Sequence, residues 1–308
     1  MEDTGPTHAL LAPLALARGG VDRAAHRRTD DTWLATAWAD RGSRGFVVAD
    51  GRAPVRDGRL VTASTVGLPP GERFFLGIDG AGVAYFAVHV DGAHPDPDAV
   101  SLRRASMVLD GHDGGLMVHA VALSNWHRAH GHCSRCGAAT VVTHAGHVRR
   151  CPVDGSEHFP RTDPAVIVLV TDEDDRCLLA HSVQNPPGRF STVAGFVEPG
   201  ESPEQAVVRE VAEETGIVVT SSRYAGSQPW PFPSNLMLGF YARAGGAEPH
   251  PDGVEIDEAH WYTRDQLVAA LESGELLLSP SASISRRLTE GWFGSELPST
   301  APTPIIRG

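Results

Sequence analysis

The sequence predicts an α+β protein made of three successive regions, and three observations support this prediction. Up to about residue 125, short apolar runs such as GFVVAD, RFFLGID and VAYFAVHV alternate with Gly, Pro and Asp turns, which indicates a mainly β domain. A short module that contains three cysteines follows. Beyond it, apolar runs such as PAVIVLVTD and LMLGFYARA alternate with helical patterns, which is typical of strands and helices in one domain.

We expect the domain boundaries where these patterns change. They are a mainly β N-terminal domain at 1–127, the cysteine module at 128–160, the mixed domain at 161–293 and a flexible tail at 294–308 that is rich in Pro, Ser and Thr. Apolar residues at helical spacing also predict a helix over Leu116–His130, which leads into the cysteine module.

The charge balance excludes several function classes. The 308 residues include 26 basic and 38 acidic side chains, so 26 − 38 gives a formal net charge of −12. All 26 basic side chains are arginine, which excludes a Schiff-base lysine and a GxxxxGK[ST] phosphate loop. The acidic balance also argues against sequence-independent binding of nucleic acid, which depends on neutralising phosphates.

The sequence also predicts where the protein resides. The apolar run near its start follows acidic residues rather than basic ones, unlike a secretory signal. No apolar run has the length that a bilayer span requires. We therefore expect a cytoplasmic protein without a membrane partner, in which cysteines are reduced or bind metal.

The stretch GFVEPGESPEQAVVREVAEETGI at 195–217 contains a helix with clear start and stop signals. Ser202 predicts the N-cap, Pro203 suits the first turn and Gln205 completes a capping box. Gly216 favours a left-handed end. The apolar residues between these signals predict a face that packs against a core, made of Val207, Val208, Val211 and Ala212.

Three glutamates on this helix, Glu210, Glu213 and Glu214, stand at spacing i, i+3 and i+4, which brings neighbouring side chains to about 5–6 Å on one face. The stretch contains six glutamates and only one basic residue, Arg209. A solvated acidic face is the ordinary interpretation of such a charge run. The alternative is a site where oxygen ligands bind a hard divalent cation, Mg²⁺ or Mn²⁺.

The complete pattern favours the cation site. The stretch reads G-x5-E-x7-R-E-V-x-E-E-x-G-I with every fixed position filled, and it is similar to the signature of the Nudix hydrolases. This resemblance implies an α/β/α sandwich with a mixed sheet over 161–293. It also implies a loop–helix–loop that binds divalent cations and hydrolyses a nucleoside diphosphate linked to another group.

The resemblance further implies a role for each residue of the pattern. Glu210, Glu213 and Glu214 would be catalytic metal ligands, and Glu213 or Glu214 would also orient the attacking water. Two further residues, Glu201 and Arg209, would pair to hold the loop. Additional implied ligands are the backbone carbonyl of Ala194 and the carboxylate of Glu255, which begins an EIDEAHW run similar to the EIxEAxW run of the family.

A proline-rich aromatic segment follows the helix and indicates the substrate. The string SQPWPFPSN at 227–235 is similar to the SQPWPFPxS array of the NADH pyrophosphatase branch of Nudix enzymes, except that Asn235 replaces its last Ser. Prolines stiffen such a loop, so we expect Trp230 and Phe232 to form an exposed aromatic surface. Base stacking on aromatic rings contributes about 1–3 kcal/mol per base in nucleic-acid sites. The predicted substrate contacts are Gln228, Pro229, Trp230, Pro231, Phe232, Pro233, Ser234 and Asn235.

Four residues elsewhere extend this prediction by resemblance. Phe159 and Phe196 would stack on the substrate, although core packing is the alternative for either ring. Ser285 stands where the family contacts substrate through an alanine backbone. Arg103 is a candidate phosphate contact in the N-terminal domain.

The cysteine module resembles the zinc ribbon of the same branch. Cys133, Cys136 and Cys151 fill three positions of a C-x2-C…C-x2-C array, and Asp154 fills the fourth. Asp154 is therefore a candidate zinc ligand, and the nearby histidines are alternative fourth ligands, namely His132, His144, His147 and His158. A third interpretation is that packing alone holds the module.

The resemblance to this branch implies an NAD(H) diphosphatase that releases AMP and nicotinamide mononucleotide, uses Mg²⁺ or Mn²⁺ and contains structural Zn²⁺. Removal of the NAD cap from RNA requires the same bond and the same glutamates. By analogy with the family we expect a homodimer. The alternatives are an ADP-ribose or nucleotide-sugar pyrophosphatase, and a Nudix regulator that binds a nucleotide without cutting it. The intact glutamate set argues against the regulator.

Overall fold

The structure, a computed structural model, describes residues 11, 14–17 and 19–298. It divides into two compact units. The first unit contains Ala15–Thr162 together with the short segment Trp230–Ser234. The second contains Asp163–Pro229 and the described residues from Asn235 to Pro298, together with the described residues up to Leu14.

The first unit combines short strands with one long helix. Its elements are α1 (Asp31–Ala39), β1 (Arg44–Val48), β2 (Arg52–Ala53), β3 (Val55–Arg56), β4 (Arg59–Leu60), β5 (Ala63–Ser64), β6 (Glu72–Ile78), β7 (Ala84–His89), β8 (Val100–Ser101), α2 (Leu102–Ala105), α3 (Gly111–Ala129), β9 (Val141–Thr143), β10 (Val148–Arg150) and β11 (Glu157–His158).

The core of this unit lies between a four-stranded sheet and helix α3. The strand order is β5-β1-β7-β6, with β1 and β7 parallel and the other pairs antiparallel. Phe46 and Phe74 of the sheet and Leu116 and Met117 of the helix belong to the same buried cluster. Strands β9, β10 and β11 form a separate three-stranded antiparallel sheet in the cysteine module.

Helix α3 begins five residues before the predicted start at Leu116. The Asp110 side chain accepts a hydrogen bond from the Asp113 amide at 2.8 Å, which caps the helix at that point. The prediction missed this start because three of the first five residues of the helix are glycines and no apolar stripe begins there.

The second unit contains the remaining elements. They are β12 (Asp163–Thr171), β13 (Cys177–Ser182), β14 (Arg189–Ser191), β15 (Val193–Phe196), α4 (Pro203–Thr215), β16 (Val219–Trp230), β17 (Asn235–Ala244), β18 (Ile256–Tyr262), α5 (Arg264–Ser273), β19 (Leu277–Leu278) and α6 (Ile284–Phe293). Strand β16 ends one residue inside the segment that is grouped with the first unit.

An eight-stranded mixed sheet with helices on both faces confirms the predicted sandwich. The order is β16-β17-β12-β13-β14-β19, with β15 paired to β12 and β18 paired to β13. Strand β12 is buried on both faces because helices cover both sides of the sheet. Val166 and Val168 pack with Val207 of α4, whereas the alternate residues Ile167 and Leu169 belong to the cluster that contains α5 and α6.

The C-terminal residues that the structure describes differ from the predicted flexible tail. Leu297 is buried, and the Arg286 guanidinium donates to the carbonyls of Leu297 and Pro298. Residues 299–308 of the predicted tail lie outside the described residues. No helix within the described ranges is both long enough and apolar enough to cross a membrane.

Candidate active site and metal centre

Helix α4 begins and ends as the sequence predicts. The Ser202 hydroxyl accepts from the Gln205 amide at 3.2 Å, and the Gln205 side-chain oxygen accepts from the Ser202 amide at 2.9 Å. Pro203 occupies the first turn, and Gly216 ends the helix with φ of 70°. The capping box fixes where the helix starts, and this start determines which side chains face the sheet.

The apolar face of α4 is narrower than the sequence predicts. Ala206, Val207 and Val211 are buried against the sheet. Val208 and Ala212, predicted to face the core, are exposed. One residue corresponds to about 100° of rotation, so these two positions turn away once Val207 and Val211 point inward.

The three clustered glutamates have three different environments. The Glu213 side chain is 62% exposed, the Glu210 side chain is 12% exposed, and Glu214 is buried. Glu214 Oε2 is buried without a hydrogen-bond partner. Burial, together with the charges of Glu210 and Glu255, raises the pKa of Glu214 to about 8. Burial also raises the pKa of Glu210 above its ordinary value.

The Arg209 guanidinium uses all five of its N–H donors, and four of these bonds neutralise part of the acidic charge. Nε and Nη2 each donate to Glu201 at 2.8 Å, and Nη2 also donates to the carbonyl of Phe196 at 2.9 Å. Nη1 donates to Glu210 at 2.8 Å and to Glu213 at 3.1 Å. Arg209 lowers the pKa of Glu201 to about 2. One side chain therefore ties the loop to the helix.

Gly195 allows Glu210 to approach strand β15. A Cβ at Gly195 would lie 1.9 Å from Glu210 Cδ, so only glycine fits beneath this carboxylate. Ala194, the implied carbonyl ligand, precedes it and pairs with Ile167 of β12. The strand thereby holds the Ala194 backbone at a fixed register one residue from the carboxylate.

Glu255, the fourth implied ligand, is held by a turn that was not among the features predicted from the sequence. The Asp252 carboxylate accepts from the amides of Val254, Glu255 and Ile256 at 2.9–3.3 Å. The Glu255 carbonyl accepts from the Val183 amide at 3.0 Å. An Asp-Gly pair at 252–253 is a turn signal that could have identified this support.

The donor set fits a hard divalent cation. The implied ligand side chains all offer carboxylate oxygen, namely Glu210, Glu213, Glu214 and Glu255. The buried Oε2 of Glu214 has no hydrogen-bond partner, and its burial is costly unless a cation or a proton satisfies it. Within the described residues, the cysteine module is the one group of three or more potential ligands whose ligand atoms all lie within 4.8 Å. The glutamates of the described residues form no such compact group, so water molecules would complete the coordination of a divalent cation there.

Asp154 completes the ligand set of the cysteine module. The thiols of Cys133, Cys136 and Cys151 and a carboxylate oxygen of Asp154 lie within 4.8 Å of one another. Cys136 Sγ and Cys151 Sγ are 3.5 Å apart, close to the separation of about 3.7 Å that a tetrahedral site with Zn–S bonds of about 2.3 Å requires. A hydrogen bond with Ser156 lowers the pKa of the Cys133 thiol to about 6. This geometry supports structural zinc.

The alternative fourth ligands do not join this group. His132, His144, His147 and His158 all lie outside the cluster of ligand atoms. His147 Nε2 instead lies 2.8 Å from the Phe75 carbonyl, and His158 Nε2 lies 3.3 Å from the Ser156 hydroxyl. The position of Asp154 in the array was therefore the better guide.

The aromatic segment Trp230–Ser234 differs from the expected exposed surface. Trp230 and Phe232 are half-buried and pack against the core of the first unit. The Arg103 guanidinium lies over both rings, 5.2 Å from the Trp230 centroid and 4.6 Å from the Phe232 centroid. Asn125 donates to the carbonyls of Pro231 and Pro233. A single Asn within a helical pattern carries no signal, so the sequence alone does not indicate Asn125.

The other predicted contacts fall into two groups. Phe159 and Phe196 are 64% and 55% exposed, which argues against core packing for either ring. Gln228 is fully buried and bonds with Ala282 and Ile284. The Ser285 hydroxyl is also buried and bonds with Ser191 and Thr192. These two side chains hold β16, β14 and α6 together rather than presenting an open contact surface.

Comparison with known proteins agrees with the fold. Residues 161–280 match the NUDIX domain, and residues 128–159 match the NADH pyrophosphatase zinc ribbon domain. The chain is a Nudix hydrolase.

Curated relatives define the family more narrowly. A NAD-capped RNA hydrolase NudC from Mycobacterium bovis is 42% identical over 300 residues, covering 91% of this chain and 95% of the relative. The NudC of Stutzerimonas stutzeri is 38% identical over 75% of this chain and 79% of its own length. NAD-capped RNA hydrolase NUDT12 of Pongo abelii is 36% identical over 71% of this chain and 50% of its own length. The chain belongs to the NudC family of Nudix hydrolases.

Proposed function

We propose that this protein hydrolyses the diphosphate of NAD(H) to AMP and nicotinamide mononucleotide, and that it also removes the NAD cap from RNA. The observation that supports the proposal most is the combination, in one chain, of the complete glutamate set with the aromatic segment that Arg103 covers. The glutamates account for cleavage of a diphosphate. The aromatic segment accounts for recognition of a dinucleotide.

Glu210, Glu214 and Glu255 are the proposed ligands of Mg²⁺ or Mn²⁺, with the Ala194 carbonyl as a further ligand. A bound divalent cation supplies neutralisation of the diphosphate and an activated water. The buried, unpartnered oxygen of Glu214 supports its place among the ligands. Glu213 is the exposed member of the set, which suits it to orient the water that attacks the diphosphate.

Arg209 and Glu201 support these ligands rather than contacting the substrate. Their paired contacts fix the loop beside Glu210 and use every donor that Arg209 has. Phe196 and Phe159 are proposed to stack on the substrate because their rings are exposed. The Arg103 guanidinium, which lies over the rings of Trp230 and Phe232, is proposed to contact the substrate together with those rings.

We also propose a homodimer, which sedimentation of the purified protein tests.

Product analysis tests the function directly. Purified protein is incubated with NADH, NAD⁺, ADP-ribose or NAD-capped RNA, each with Mg²⁺ or Mn²⁺, and the products are separated by chromatography. The expected result is equimolar AMP and reduced nicotinamide mononucleotide from NADH, AMP and nicotinamide mononucleotide from NAD⁺, and a 5′-monophosphate end on the RNA. A preference for ADP-ribose over both NAD substrates would favour the general pyrophosphatase instead. Tight NADH binding without products would favour the regulator.

A further inference from the structure

Prolines limit the hydrogen bonds that the backbone of the segment Trp230–Ser234 can make. Pro231 and Pro233 have no backbone N–H, and neither does Pro229 just before them. The segment therefore cannot form a regular ladder of hydrogen bonds. One internal bond is present, from the Phe232 amide to the Trp230 carbonyl at 2.7 Å. The remaining carbonyls require donors from elsewhere in the fold.

Asn125 of helix α3 supplies those donors. Its Nδ2 donates to the Pro231 carbonyl at 2.9 Å and to the Pro233 carbonyl at 3.1 Å. A side-chain amide has two N–H groups, and both are used here. The two carbonyls on either side of Phe232 therefore bind the same side-chain nitrogen, Nδ2 of Asn125, on the 19-residue helix α3.

The orientation of the Asn125 amide is fixed from its other side. Arg128 Nη2 donates to Asn125 Oδ1 at 3.4 Å, and Arg128 Nη1 donates to Asp50 at 2.9 Å. An arginine can only donate, so the amide oxygen must face Arg128 and the nitrogen must face the two carbonyls. Asp50, Arg128 and Asn125 form a chain of contacts that ends on the aromatic segment.

The same segment presents the rings that Arg103 covers. The ring centroids of Trp230 and Phe232 are 4.9 Å apart and the ring planes make an angle of 71°, which is an edge-to-face arrangement. We propose that Asn125 is a positioning residue for substrate recognition: it fixes the Trp230–Phe232 pair before the dinucleotide binds. This inference rests on the proposed function. A preordered loop binds more tightly because less conformational entropy is lost on binding.

Hydrogen exchange tests the contact without any substrate. Asn125→Asp has the same shape but replaces the two donors with an oxygen that faces two carbonyl oxygens. We expect the amides of Trp230, Phe232 and Ser234, followed in peptides covering 227–237, to exchange at least about tenfold faster than in the wild type. Arg128→Ala should accelerate exchange in the same direction to a smaller extent. Asn185→Asp, the same chemical change in a loop of the second unit, is the matched control and should leave these peptides unchanged.

Steady-state kinetics test whether the contact serves recognition. Asn125→Asp should raise KM for NADH about tenfold and change kcat less than about twofold, with the melting temperature little changed. In a Trp230→Ala background the same substitution should raise KM by less than about twofold, because the residue through which it acts is gone. A purely structural role would give the same increase in both backgrounds. If Asn125→Asp fails to fold, Asn125→Ala replaces it in both experiments.

The outcomes separate this inference from the proposed function. Unchanged exchange in both Asn125 variants overturns the inference, as does an unchanged KM or a full effect in the Trp230→Ala background. Absence of NADH hydrolysis by the wild type instead overturns the proposed function, and with it the role in recognition. The exchange experiment then still decides whether Asn125 orders the segment.

Discussion

The Glu210 carboxylate lies directly against the Cα of Gly195, where a Cβ would be 1.9 Å from Glu210 Cδ. Gly195→Ala should therefore push helix α4 away from strand β15, with a stability cost of about 1–3 kcal/mol and a large loss of turnover. Gly245→Ala is the matched control, since a Cβ there would meet nothing within 4 Å. Thermal melting and the rate of AMP release measure the two effects. Full activity in Gly195→Ala would show that Glu210 does not need this position.

The charge of Glu214 should matter for turnover and not for folding. Glu214→Gln keeps the shape and removes a buried carboxylate that has an unpartnered oxygen, so stability should be unchanged or higher. Turnover of NADH should fall by about 10²-fold or more, because a cation ligand is lost. Glu213→Gln should also lower turnover. Glu204→Gln, at an exposed position in the first turn of the same helix, should stay within about twofold of the wild type. Near-normal turnover in both Glu214→Gln and Glu213→Gln would contradict the assignment of the cation site.

Arg103 and Arg104 provide a matched pair on helix α2. Both are exposed, but only Arg103 is seen over the rings of Trp230 and Phe232 among the described contacts. Arg103→Ala should raise KM for NADH about fivefold, the size expected for one cation–π contact of about 1 kcal/mol. Arg104→Ala should leave KM unchanged. Equal effects from the two substitutions would indicate general electrostatic attraction instead of a local contact.

The zinc content should depend on Asp154. Metal analysis of the purified protein should give about one zinc per chain, and Asp154→Ala should lower this value while Asp154→Cys retains it. Glu157→Ala, at an exposed position in the same module, is the control. A zinc content near zero in the wild type would mean that packing alone holds the module.

Two buried histidines should make the first unit sensitive to acid. Burial is the main cause that lowers the pKa of His127 and of His147 from 6.5 to about 4, and the charge of the nearby Arg149 contributes to the shift of His127. The unfolded chain therefore binds more protons than the folded one between these values. The contribution of each neutral histidine to the free energy of unfolding is fully present above about pH 6.5. It decreases as the pH falls towards 4, by up to about 3 kcal/mol per histidine.

Melting temperatures at pH 7.5, 6.5 and 5.5 measure this effect. His147→Gln should reduce the dependence of the melting temperature on pH, because the substitution removes a buried imidazole whose pKa is lowered in the folded state. His26→Gln, at an exposed position, should leave it unchanged. The same pH dependence in all three proteins would assign the acid sensitivity to other groups.

Local signals in the sequence predicted the parts of the site that depend on chain neighbours. Ser202, Gln205 and Gly216 determine the ends of α4 through contacts within a few residues, and the capping box confirms them. The apolar run PAVIVLVTD likewise predicted a strand, and β12 forms there. The spacing of the cysteine module correctly indicated Asp154 as the fourth member of the ligand group.

The parts that depend on distant residues could not be predicted in this way. Helical spacing places Glu213 and Glu214 together, yet one is exposed and the other buried, because the sheet covers only one side of the helix. Val208 turned outward for the same reason. Asn125 acts on carbonyls that are 106 and 108 residues away, so no pattern along the chain reveals it.

The Arg209 guanidinium has a consequence for local cooperativity. Because it binds the Phe196 carbonyl, the Glu201 carboxylate and the glutamates of α4, the strand end, the loop and the helix share one partner. Loosening any of the three leaves charged groups of the other two unsatisfied. These segments are therefore expected to open together, so that thermal fluctuation of a single residue does not change the spacing between the carboxylates.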